Sequence, residues 1–259
     1  MKKYIHNTVS MALLTFLGFY ILTGCKKDGE MNTQQNGLPG SITRFAVLNN
    51  YLYALDQNRV LTYDVSNSSN MIKVSELKTD FGLETITIYE GTIYIGSRTA
   101  LYILGLDNPA APELLSKSER DPMFSGGCDP VVVKGDYAYS TIKIIENICG
   151  TVNQFSRLLV YNVNNPENPS LIGEYEMNIP NGLGYKENTL FVCDEGADQV
   201  ILFDISYAYD LSQIGAINLT DPVDVIVNAD RMVVSTKTGF SFYNIADINN
   251  IQDLGTISF

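Results

Sequence analysis

Downstream of residue 38 the chain alternates short apolar runs with breaks rich in Asn, Gly and Asp, and the same arrangement returns five times. The runs VLTYDV (60–65), LYILGL (101–106), LLVYNV (158–163), VILFDI (200–205) and FSFYNI (240–245) align. The last residue of each precedes a small residue by ten positions, namely Ser75, Ser116, Gly173, Gly215 and Gly255. An apolar residue stands immediately before each of these: Val74, Leu115, Ile172, Ile214 and Leu254. A second column lies upstream at Tyr53, Tyr94, Tyr139, Phe191 and Val233, and a third six residues earlier at Val47, Ile88, Val133, Tyr185 and Val227. Runs of this length, rich in β-branched and aromatic residues and bounded by turn formers, predict strands. Sustained helical periodicity is absent. Each unit therefore predicts four antiparallel strands, A to D, in about 40 residues, the size of a propeller blade. With units at about 38–79, 80–119, 120–177, 178–219 and 220–259, the expected fold is an all-β, five-bladed β-propeller.

The segments CDPVVVKGDYAYS (128–140) and LLVYNVNNPENPSLIGEY (158–175), with weaker echoes in the other four units, resemble the LVIVD repeat, a propeller-forming family of bacterial surface and secreted proteins. That resemblance implies blades and no single activity, because function sits in sites grafted on a fold. Unit 4, PNGLGYKENTLFVCDEGADQVILFD, is also similar to an NHL or gluconolactonase-type blade.

The first 24 residues change the picture of where the protein works. Lys2, Lys3 and His6 precede an apolar stretch from Met11 to Leu22, followed by Thr23 and Gly24, which is the layout of an export signal. A membrane-crossing helix needs about 20 apolar residues, more than this run offers. Leu22-Thr23-Gly24-Cys25 resembles the lipobox of bacterial lipoproteins, which implies removal of 1–24 and acylation of Cys25. Two or more acyl chains suffice for stable anchoring where one holds marginally. Residues 25–37 then form a tether, and Lys26-Lys27-Asp28-Gly29-Glu30 is similar to the export tag of lipoproteins displayed at the cell surface. The expected location is the bacterial outer membrane, facing the exterior.

Charge and composition remove several classes of function. Losing Lys2 and Lys3 with the leader leaves 15 Lys and Arg against 29 Asp and Glu, a balance of −14. No basic footprint for nucleic acid is visible. The sole histidine, His6, goes with the leader, so neither a Ser-His-Asp or Cys-His nucleophile system nor a His-liganded zinc site can be assembled. Tryptophan is absent, which leaves any sugar stacking to the 16 tyrosines.

Departures from the repeat mark candidate chemistry. In an up-and-down blade the D-to-A and B-to-C connections share one face, called here the loop face, and the A-to-B and C-to-D turns share the other. Tyr139 and Tyr161 stand 22 positions apart where the same two columns are 10 or 12 apart in the other units, so the B–C connection of unit 3, within IIENICGTVNQFS, is enlarged. The connection entering unit 3, SERDPMFSGGCDP, is enlarged as well. Each insertion carries one cysteine, Cys128 and Cys149, for which a disulfide is expected in an oxidising compartment, with two free thiols or a thiolate metal pair as alternatives. Cys193, in an apolar strand, reads as a buried free thiol. Asp129, Asn181 and Asp221 precede A strands at the loop-face mouth of the channel, and Asp194 and Glu195 open a B–C connection beside them. Such oxygen ligands suit a hard cation such as Ca²⁺, and equally suit strand caps and Asx turns.

These features predict a membrane-anchored binding or scaffold module without catalysis, displaying its loop face to a protein, peptide or glycan, with no nucleic acid among its partners. A metal-dependent hydrolase of gluconolactonase type is the alternative, because Pro180-Asn181-Gly182 matches that family's metal-binding Asn motif at one position while unit 1 offers no counterpart for its early Glu. A structural outer-membrane component is the third reading.

Overall fold

The computed structural model describes residues 42–119, 130–148 and 151–259, the last two strands of the central hairpin by their backbone alone over 144–148 and 151–155. The compact unit that holds them spans Asn36–Phe259. It comprises five four-stranded antiparallel sheets, each built from four consecutive strands in chain order. Blade 1 holds β1 (Phe45–Leu48), β2 (Tyr51–Asp56), β3 (Arg59–Asp64) and β4 (Ile72–Lys78). Blade 2 holds β5 (Leu83–Tyr89), β6 (Thr92–Ser97), β7 (Ala100–Gly105) and β8 (Glu113–Glu119). Blade 3 holds β9 (Val131–Lys134), β10 (Tyr137–Ile148), β11 (Thr151–Asn162) and β12 (Ser170–Met177). Blade 4 holds β13 (Pro180–Lys186), β14 (Thr189–Asp194), β15 (Gln199–Asp204) and β16 (Ser212–Asn218), and blade 5 holds β17 (Pro222–Asn228), β18 (Arg231–Thr236), β19 (Gly239–Asn244) and β20 (Gln252–Ser258). The fold is the five-bladed propeller that the five units predict.

The columns explain the packing. Alternate residues of a strand point to opposite faces of its sheet, so each blade presents one apolar wall to the preceding blade and one to the following blade. Tyr53 of blade 1 packs with Ile86, Ile88 and Ile93 of blade 2. Tyr94, Leu101 and Ile103 meet Val131 and Val133, and Tyr139 and Val160 meet Leu183 and Val192. Phe191 and Val200 meet Val225 and Val227. Hydrogen bonds on the turn face stitch the same seams: Tyr53 OH to the Pro109 carbonyl at 2.9 Å, Ser116 Oγ to the Pro166 carbonyl at 2.6 Å, the Leu211 amide to Tyr175 OH at 2.8 Å, and Lys186 Nζ to Asp230 at 2.7 Å. Burial pushes the Tyr53 and Tyr94 phenols up to about 12, so both stay neutral, and Tyr53 keeps its proton for the Pro109 carbonyl.

The apolar-then-small column of strand D is a β-bulge in all five blades. Thr62 pairs Ser75 and Tyr63 pairs Lys73, leaving Val74 unopposed, and the same skip isolates Leu115, Ile172, Ile214 and Leu254. A bulge increases local twist, and here it recurs on the outermost strand of every blade.

One expectation changes form. The unit 3 insertion is strand rather than loop: β10 and β11 pair through to Ile148 opposite Thr151, twice the length of the matching hairpins. The many β-branched residues of STIKIIENI, with Thr151 and Val152 of TVNQFS, favour continued pairing over an irregular excursion.

Candidate functional site

The loop face gathers charged side chains from every blade. In blade 1 Arg59 bonds Asp56 and lies 3.5 Å from Glu76. In blade 2 Arg98 reaches Glu84 at 2.8 Å, and Lys117 bonds Asp80 at 2.5 Å. The densest cluster spans blades 3, 4 and 5. Lys143, on β10, donates from Nζ to Asn181 Oδ1 at 3.1 Å. Asn181, on β13, donates from Nδ2 to Glu195 Oε2 at 3.0 Å and to the Pro222 carbonyl at 3.2 Å, while its own carbonyl accepts from Thr141 Oγ1 at 2.6 Å. Lys237, in the β18–β19 turn, donates to Glu195 at 2.7 Å and to Asp221 at 3.0 Å. The result is one chain of contacts, Lys143, Asn181, Glu195, Lys237, Asp221, in which two ammonium groups balance two carboxylates.

The local sequence explains these positions. Glu195 starts a one-turn 3-10 helix (Glu195–Ala197) that ends at Asp198 in the left-handed region, φ 53°. Asp198 Oδ1 then accepts the Asp221 amide at 2.9 Å, which fixes Asp221 beside Lys237. Lys237, Asn181 and Lys143 together hold the Glu195 carboxyl below the usual carboxylate range, Lys237 contributing most. The Lys237 ammonium is correspondingly raised by its bonds to Glu195 and Asp221.

Of the candidate residues, Asn181, Glu195 and Asp221 lie in one cluster, and Asp194 does not. The Asp194 carboxylate is fully buried and accepts the Asn178 and Ile179 amides at 2.9 and 2.8 Å, capping the start of β13. Cys25, Cys128, Asp129 and Cys149, on which the expected acyl anchor and disulfide fall, lie outside the described residues. Cys193 is a buried free thiol, its pKa pushed up by burial. Lys143 and Lys237 are members of this cluster that sequence reasoning missed. Their signal was a lone cation in a β-branched run, STIKII, and another in the tight turn TKTG.

This donor set does not fit a hard cation. Asn181 Oδ1 faces an ammonium, and Glu195 is shared between two lysines, so the oxygens a Ca²⁺ would need are already satisfied by cations of the chain itself. Among the described residues no three His, Cys, Asp or Glu side chains are grouped to hold a metal.

Another carboxyl nearby behaves differently. Asp224, on β17, accepts the Ile42 amide at 2.8 Å, a bond from the residues that lead into blade 1 across to blade 5. Burial raises its pKa to about 7, against the lowering effect of the Ile42 and Val225 amides. Ile42 is followed by Thr43, whose carbonyl accepts the Ile86 amide of blade 2 at 3.0 Å, so this short segment links three blades on the loop-face side.

The LVIVD repeat family matches residues 39–79. No curated protein matches the chain. Among solved structures, a Lactobacillus plantarum protein is similar at a TM-score of 0.62 and 12% identity, covering 83% of this chain and 70% of that one. A 6-phosphogluconolactonase candidate from Bacteroides fragilis is similar at 0.60 and 12%, covering 83% and 69%. A chain of a nidogen–laminin complex is similar at 0.53 and 13%, covering 83% and 78%. At such identities the likeness is one of fold. The chain is a five-bladed β-propeller whose residues 39–79 match the LVIVD repeat.

Proposed function

We propose that the protein is a lipid-anchored, surface-displayed binding module whose loop face receives a protein, peptide or glycan, without chemistry of its own. The observation that carries this reading is the Lys143–Asn181–Glu195–Lys237–Asp221 network. It draws donors and acceptors from three blades, holds them by mutual contacts, and leaves Lys237 and Asp221 partly exposed beside the projecting β10–β11 hairpin. Preset polar groups on a rigid scaffold lower the ordering cost of binding a polar partner. A lactonase of the gluconolactonase type needs an open metal site, and Asn181 Oδ1, the oxygen that resemblance would assign to the metal, instead accepts from Lys143.

Two measurements test the reading. Thermal unfolding with 1 mM Ca²⁺, Mg²⁺ or Zn²⁺ should show no upward shift, since a native-state ligand with micromolar affinity adds roughly 4 kcal/mol at that concentration; a clear shift would favour the metal enzyme. In cell-surface pull-downs, shortening the hairpin by deleting Asn147–Gln154, with Cys128→Ser, should abolish capture of a partner while circular dichroism stays unchanged. Double substitution of Asn165 and Glu167 on the turn face should leave that capture intact. The reverse pattern would place this function on the wrong face.

A further inference from the structure

The C–D turns of the five units obey one rule, and unit 4 breaks it. Asn67, Asn108, Asn165 and Asp247 occupy the same turn position, and each accepts a backbone amide two residues on, from Ser69, Ala110, Glu167 and Asn249 at 3.0 to 3.2 Å. In unit 4 this position is Tyr207, which cannot make the bond, and the donor position is Tyr209. An Asx turn has been given up for two aromatic rings, and departures from local turn chemistry concentrate at functional sites.

Both rings are displayed, on a turn whose backbone is tied down, and the Tyr209 ring has further contacts of its own. Tyr207 is 78% exposed and Tyr209 61%. Between them Ala208 is buried, as is Leu211, in the core that joins blades 3 and 4. The Asp210 amide closes the turn on the Tyr207 carbonyl at 3.0 Å, and the Leu211 amide is tied to Tyr175 OH. Asn162 Nδ2 donates to Tyr209 OH at 3.3 Å, and the Tyr137 ring stands edge-on to Tyr209 at 6.0 Å between centroids and 81° between planes. Lys134 and Asn188, bonded to each other at 2.7 Å, belong to the neighbouring A–B turns of the same two blades.

We propose that Tyr207 and Tyr209 form a carbohydrate-binding platform on the turn face of blades 3 and 4. A pyranose ring presents a flat patch of C–H groups that stacks on an aromatic face, and a rim of hydroxyls that needs nearby amides and charges. Fixed tyrosines lose little conformational entropy on binding, and Asn162, Asn188 and Lys134 supply the rim. A neutral glycan is the class that fits, because a chain of formal net charge −12 disfavours an acidic one. This site lies on the face opposite the network described above and is independent of it.

The test is isothermal titration of the full chain in detergent with cellohexaose, mannohexaose and xylohexaose. At least one should bind saturably. Tyr207→Ala and Tyr209→Ala should each weaken that binding by about tenfold or more, as for aromatic anchors elsewhere. Tyr209→Phe, which keeps the stacking face, should retain most of the affinity, and Lys73→Ala on blade 1 should change nothing. Absence of binding to all three hexasaccharides, or undiminished binding in both alanine variants, would overturn the proposal.

Discussion

Asp224 sits where β13 of blade 4 and β17 of blade 5 pass in close contact. A methyl group on Gly182 would lie 2.7 Å from the Asp224 Cα, so β13 and β17 approach at a distance that only glycine permits, and this crowding is part of what buries the carboxyl. The consequence is a pH dependence with a definite sign. The folded pKa is about 7 and the unfolded value is that of an ordinary aspartate, so between about pH 4 and pH 7 the folded state binds the extra proton. The Asp224 contribution to stability is therefore greatest at acidic pH and declines as pH rises through this window, by a few kcal/mol in all. Thermal unfolding of wild type and Asp224→Asn at pH 5 and pH 8 should show the wild type losing stability relative to the variant at the higher pH. A flat difference would mean that the carboxyl is already ionised at pH 5. Nothing in the pattern of Pro222-Val223-Asp224 marked this residue, because its character comes from Ile42 and Gly182, both distant in sequence.

At the level of the strand, the repeat was legible and its physical reason was not. Five aligned apolar-small pairs in strand D read from the sequence as one more column, whereas the pairing shows each apolar member left without a partner opposite it. Period-2 reasoning cannot reveal a bulge, since the extra residue shifts register within one strand only. The same limit applies to the unit 3 insertion, whose length was plain while its continuation of the ladder was not. The small residues after the bulges are not equivalent, and this can be measured. Ser75 and Ser116 occupy the position in blades 1 and 2, and a side chain on Gly215 would meet only Leu202 at an ordinary 3.9 Å. Gly255, by contrast, has φ 113°. Gly215→Ser should be neutral or stabilise by roughly 0.5 kcal/mol by restricting the unfolded chain. Gly255→Ser should destabilise by about 1 kcal/mol or more, because a side chain there forces a strained backbone. Urea denaturation of the two variants decides it, and equal effects would refute the distinction.

Across the propeller, four seams between blades are filled, and among the described residues the fifth is not. Phe45 and Val47 form the wall that blade 1 turns toward blade 5, and Phe45 is 59% exposed, whereas its equivalents Ile86, Val131, Leu183 and Val225 are at most 4% exposed. The facing wall of blade 5 repeats the pattern: Ile226, Phe240 and Ile257 are exposed, and Ile257 stands where Leu77 and Ile217 pack into the cores of earlier seams. The described hydrogen bond between the two blades is the Ile42–Asp224 link on the loop-face side. The columns predicted five like units, and the symmetry of the seams breaks where units 1 and 5 are neighbours in space without being neighbours in sequence. Matched truncations test this directly. Ile86→Ala should cost about 2–5 kcal/mol, as for a large aliphatic removed from a packed core. Phe45→Ala, at the same register position in the open seam, should cost under about 1 kcal/mol, because little of its surface is removed from water on folding. Urea midpoints for the pair give the comparison. Equal losses would show that blades 1 and 5 pack together in solution as tightly as the rest, and the seam would then be closed.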